Sequence, residues 1–150
     1  MISDFFGNAI LGSAGWAWLV AQILKVCING VRERRLNLRY LVTMGGMPSS
    51  HSATVAALAM AVGLKEGLSS TAFAIAFIFA LVVMYDAAGV RRAAMMQARI
   101  LNQIIDELFR GHPISETHLR ELLGHTPFEV IVGAALGCVV AWFVLWTSGY

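Results

Sequence analysis

Charge is what this sequence has least of. Charged residues make up 13% of it against 58% hydrophobic residues, a balance that excludes an ordinary soluble globular domain and makes the bilayer the natural solvent. The net charge of +2 is too small to argue for a nucleic-acid partner, and no basic segment carries the interleaved aromatics of a single-strand binder. Cysteine is nearly missing: Cys27 and Cys138 stand on segments that read as different helices, without CxxC spacing, so neither a disulfide framework nor a cysteine zinc centre is expected. There is no internal repeat, low-complexity tract or linker, and 150 residues suit one membrane-embedded domain over 1–150. The opening Met1-Ile-Ser-Asp-Phe-Phe carries an acid and no base, unlike the basic start of a secretory signal peptide, so the first apolar run is expected to be a structural span.

What is present is a series of apolar runs. Stretches at 9–24, 48–64, 68–84 and 127–146 are about the length of membrane-crossing helices, which predicts an all-α integral membrane protein with about four transmembrane helices. Between the third and fourth lies a different segment, 91–124. Within it Ile100, Leu101, Ile104, Ile105 and Leu108 recur at helical spacing among Asp106, Glu107 and Arg110, as in an interfacial amphipathic helix. Gly111-His112-Pro113 should break that helix, and Ser115 should open a second short one with an imperfect cap, because His118 stands where a capping box wants Glu or Gln. Ten of the eleven basic residues fall in the two loops that four spans place on one side, and only Lys65 falls on the other. The positive-inside rule then puts those loops in the cytoplasm, or in the stroma of a plastid.

Two segments carry chemistry, and both fall on that basic face. Gly45-Gly46-Met47-Pro48-Ser49-Ser50-His51-Ser52 opens a membrane helix: glycine permits close backbone approach, proline suits a first turn, and serine caps. Amides at such a helix start can receive an anion, with His51 beside them suited to proton transfer. An ordinary capped helix start would look the same. Gly124-His125-Thr126-Pro127-Phe128-Glu129-Val130 opens another membrane helix. If it is helical there, His125 and Glu129 share a face, so the carboxylate can fix the imidazole as a base or nucleophile. Asp86, at the end of the third span, reads as a salt-bridge partner of Arg91 or Arg92, and His112 and His118 read as solvated.

These residues resemble the type 2 phosphatidic acid phosphatase and vanadium haloperoxidase superfamily, and within it a small divergent branch of bacterial and plastid membrane proteins. That superfamily carries a lysine and an arginine with six residues between them, then Pro-Ser-Gly-His, then Ser-Arg followed by a histidine with an acid four residues later. Lys25 and Arg32 have that separation, and Pro48-Ser49-Ser50-His51 resembles the second element with serine for glycine. His125 and Glu129 resemble the last histidine and acid, with Pro127, Val130, Gly133 and Gly137 extending the likeness. The sequence departs from the pattern at Glu33, where the superfamily has proline. It departs again at the arginine, since Arg91 and Arg92, read as its counterpart, stand far upstream of His125 in sequence. Four spans instead of the usual six would make a dimer plausible, and Gly133-Ala134-Ala135-Leu136-Gly137 offers a small-residue face for packing between copies or within one chain.

The resemblance implies a phosphatase acting at the cytoplasmic interface on a lipid or isoprenoid phosphate, within a membrane complex or homodimer and without cofactor, metal or nucleic acid. In the scheme it suggests, His125 attacks phosphorus, Glu129 orients His125, and His51 protonates the leaving oxygen. Lys25, Arg32, Ser49, Ser50 and one of Arg91 and Arg92 would hold the phosphoryl oxygens. The rival expectation is a non-catalytic membrane subunit that keeps the cradle to bind an anionic lipid within a larger complex.

Overall fold

The computed structural model describes residues 7–34, 46–108 and 125–149, excluding the side chains of residues 32, 33, 90–95 and 106–108. Five helices account for the regular structure of these residues, and none of them is in a strand: α1 Ala9–Glu33, α2 Ser50–Glu66, α3 Thr71–Ala88, α4 Val90–Leu108 and α5 Pro127–Thr147. Each of the four apolar helices starts on a side-chain cap, which fixes where it begins. The Asn8 carboxamide accepts from the amides of Ile10 and Leu11, and Ser49, Ser70 and Thr126 cap α2, α3 and α5.

α2 is the centre of the bundle, packed against α1, α3 and α5. Its sequence explains why. Ala53, Ala57 and Ala61 recur every four residues and join Ala17 and Ala21 of α1 with Ala141 and Leu145 of α5 in one buried cluster. On its other side Val55, Ala59 and Val62 pack on Ala76 and Ala80 of α3. Small side chains therefore point inward, whereas Trp16, Ile78, Phe79, Val82, Ile131 and Phe143 point outward. A soluble protein would bury its large apolar side chains. Bilayer helices, with lipid on the outside as apolar as leucine, associate instead through close contact of small residues.

The tightest contact is between α5 and α2. A Cβ on Gly133 would run into the Ser49 carbonyl oxygen, and one on Gly137 into that of Ala53. The small-residue face is thus used within the chain.

Among the described residues, three helices are long and apolar enough to cross a membrane: α1 over Ala9–Val31, α3 and α5. α2, with 17 residues, is about 25 Å long and sits among them, so the chain is an all-α membrane protein with a short central helix. The first span differs from its expected extent. α1 runs on through Lys25 to Glu33, where Arg34 takes a left-handed conformation (φ 53°), so residues 25–33 are not loop. The third span starts at Thr71 and ends at Ala88, which puts Asp86 inside its last turn.

α4 follows α3 across Gly89, is strongly amphipathic and, among the described helices, touches only α3. Met96, Ile100, Leu101 and Ile104 are exposed on it. The expected continuation of this segment, with His112, the break at Pro113 and the helix opened by Ser115, lies outside the described residues.

Candidate active site

The first turn of α2, the first turn of α5 and the middle of α1 meet at one end of the bundle. Ser49 ties the first two together: its amide donates to the Glu129 carbonyl oxygen at 3.2 Å. Its hydroxyl oxygen accepts from the Ser52 amide at 3.3 Å and from the Ser52 hydroxyl at 3.0 Å. Ser49 and Ser52 are fully buried and Ser50 nearly so, and the Ser50 carbonyl accepts from the Thr54 hydroxyl at 2.8 Å. The Ser49 amide, expected to face an anion, is therefore committed to holding α5. The amides of Ser50 and His51 belong to the first turn, where a helix provides no acceptor of its own.

His125 precedes the α5 cap instead of lying on the helix, so the pair with Glu129 is not made by a shared helical face. It is made by a capping box. The Thr126 hydroxyl accepts from the Glu129 amide at 3.3 Å, and Glu129 Oε2 reaches back to the Thr126 amide at 3.2 Å. The same Oε2 lies 3.1 Å from His125 Nδ1. A ring nitrogen beside a carboxylate is the one that carries the proton in the neutral imidazole, which assigns the lone pair to Nε2. His125 is wholly buried, and the His51 ring stands 6.2 Å away, centroid to centroid, tilted by 66°.

The third contribution comes from α1. Lys25 is the bulkiest of the fully buried side chains. Gly46, at φ +94°, lays its backbone against the Lys25 methylenes, and a Cβ there would also meet the Asn29 amide nitrogen at 3.8 Å. The Asn29 amide group donates to the Lys25 carbonyl oxygen at 2.9 Å. Burying an ammonium is costly without an anion nearby, and Lys25 is attracted by the Glu129 carboxylate.

Of the residues singled out in the sequence, Lys25, Ser49, Ser50, His51, His125 and Glu129 come together at this end of the bundle. Arg32 lies in the last turns of α1, and Arg91 and Arg92 in the first turn of α4; their side chains lie outside the described residues. Three contributors carry no expectation from the sequence. Thr126 has one available signal, since Thr126-Pro-Phe-Glu129 is a capping-box pattern. Ser52 has a weaker one, three residues past the serine cap. Asn29 has none.

A buried histidine held by a carboxylate, beside a second histidine and a buried lysine, thus lies at one end of a bundle of apolar membrane helices. The chain belongs to the Divergent PAP2 family, whose pattern it matches over residues 6–140. It is 39% identical over 148 residues to the uncharacterized membrane protein YuiD of Bacillus subtilis (strain 168), an alignment covering 91% of this chain and 94% of that one. No solved structure matches it.

Proposed function

We infer that this protein is a membrane phosphatase that hydrolyses a lipid or isoprenoid phosphate through a phosphohistidine. The observation that carries the reading is the buried His125–Glu129 pair, with Nδ1 on the carboxylate and His51 alongside. In the first step the Nε2 lone pair of His125 attacks phosphorus. The bond from phosphorus to the lipid oxygen breaks, and His51 gives that oxygen its proton. In the second step water attacks the phosphohistidine, His51 takes up a proton from it, and the phosphorus–nitrogen bond breaks to release phosphate. Glu129 holds the orientation of His125 and balances the charge that its ring gains.

Lys25, buried at this end of the bundle, supplies a positive charge for the phosphoryl oxygens. Arg32, seven residues further along α1, and one of Arg91 and Arg92 at the start of α4 are the additional cations of the scheme, and the first-turn amides of α2 donate hydrogen bonds. By the positive-inside rule, this reading turns the basic face toward the cytoplasm or stroma.

The test is release of phosphate by the detergent-purified protein from phosphatidate, phosphatidylglycerophosphate and an isoprenoid phosphate. Release from at least one of these, lost in His125→Ala, is the expected result. No release from any of the three would leave an anion-binding subunit as the reading.

A further inference from the structure

Below the site, between α2, α3 and α5, runs a groove of about 470 Å³. Its floor is the small-residue side of α2, at Ala56, Ala59 and Gly63, and its walls include Phe77 and Met84 of α3 and Cys138 of α5. Its upper end comes close to the site at two positions. Ala56 is one helical turn from Ser52, and Ala134, also in the lining, directly follows the Gly133 that rests on Ser49. Its lower end is lined by Leu68 and Phe73. A Cβ on Gly63 would meet Leu68 Cδ2 and the Phe73 ring at 3.0 Å, so those two side chains lie against the α2 backbone as a stop.

We propose that this groove holds one hydrocarbon chain of the phosphorylated lipid whose head occupies the site, and that the Gly63–Leu68–Phe73 stop sets the chain length. The assignment of the head to the site rests on the phosphatase reading; the groove itself rests on its own geometry. Ser49 and Gly63 are separated by about 20 Å along α2, compared with about 15 Å for half the hydrocarbon core of a bilayer. A chain anchored at Ser49 meets the groove at Ala56, about 10 Å along α2, and can run in it as far as Gly63. The volume is that of a single small-ligand site, so the second chain of a two-chained lipid stays in the bilayer. The occupant is a chain and not a polar molecule because, among the described residues, no charged residue or hydrogen-bonding side chain other than the Cys138 thiol lines the groove.

Cys138 reports occupancy directly, since Cys27 is exposed on α1 and can be replaced by serine. In Cys27→Ser protein in phosphatidylcholine nanodiscs, hexadecyl phosphate should slow alkylation of Cys138 about tenfold or more, and protection should fall steadily as the chain is shortened to butyl. Hexadecanol should protect far less, because it lacks the head group that anchors the chain. Ala59→Phe, which fills the middle of the groove, should move the onset of protection to shorter chains. Equal protection by hexadecanol, or none by hexadecyl phosphate, would overturn the proposal and leave the groove to bulk lipid. The two readings separate cleanly. Chain-dependent protection in a protein that releases no phosphate refutes the phosphatase and keeps the groove. Phosphate release that ignores chain length, without protection, does the reverse.

Discussion

Glu129 Oε2 lies 3.1 Å from His125 Nδ1 and 3.2 Å from the Thr126 amide, so one carboxylate oxygen both caps a membrane helix and holds the candidate nucleophile. Glu129→Gln retains an oxygen for the Thr126 amide but loses the charge beside the ring. Hydrolysis should fall about 100-fold or more, on aryl and alkyl phosphates alike, because the effect is on the nucleophile. Thr126→Ala removes only the cap and should destabilise the protein by about 0.5–2 kcal/mol, read from the unfolding midpoint in detergent. If the glutamine variant kept full activity, orientation by Glu129 would not matter.

His51 should separate from His125 by leaving group. An aryl phosphate needs no proton to depart, so His51→Ala should lose little on it while losing on the order of 100-fold or more on an alkyl phosphate. Equal losses on both would place His51 in binding instead.

Lys25 should control affinity for a phosphoryl mimic. Lys25→Met removes the buried ammonium while preserving much of the stem that packs on Gly46. Vanadate binding should weaken about 10- to 150-fold, corresponding to about 1.5–3 kcal/mol for a hydrogen bond to a charged group. Helical content measured by circular dichroism should stay as it was, and unchanged vanadate affinity would remove Lys25 from the site.

Two glycines should behave unlike a third. Gly133→Ala and Gly137→Ala each drive a methyl group into a backbone carbonyl of α2 and should destabilise by about 1–3 kcal/mol. Gly133→Ala should also lower activity, because the carbonyl it displaces belongs to Ser49. Gly15 has open space around its Cβ position, so Gly15→Ala should leave the midpoint nearly unchanged.

The membrane fold was legible in the sequence because long apolar runs bounded by basic loops have few alternatives to spanning helices. The boundaries near Lys25 were not. Lys25, which opens a basic segment, reads as the end of a span, but it belongs to α1, and its stem is covered by the backbone of Gly46 from a distant segment. The neighbours that make a charge tolerable inside a helix come from tertiary structure. The pairing of His125 with Glu129 was legible from its spacing, although its cause was not: a reverse hydrogen bond from N3 to the cap aligns the carboxylate, where a continuous helix was expected. The central position of α2 is written in its alanines, yet hydropathy shows only a run barely long enough to cross.

The most direct measurement is trapping of the intermediate. The detergent-purified protein is incubated with a lipid phosphate labelled in its phosphoryl group, quenched in alkali, where phosphohistidine survives, and mapped by mass spectrometry. The account predicts acid-labile label on His125, present in the unmodified protein, accumulating when the second step is slowed, and absent in His125→Ala together with hydrolysis. Hydrolysis by His125→Ala at the unmodified rate, with contaminating phosphatases excluded, would contradict it.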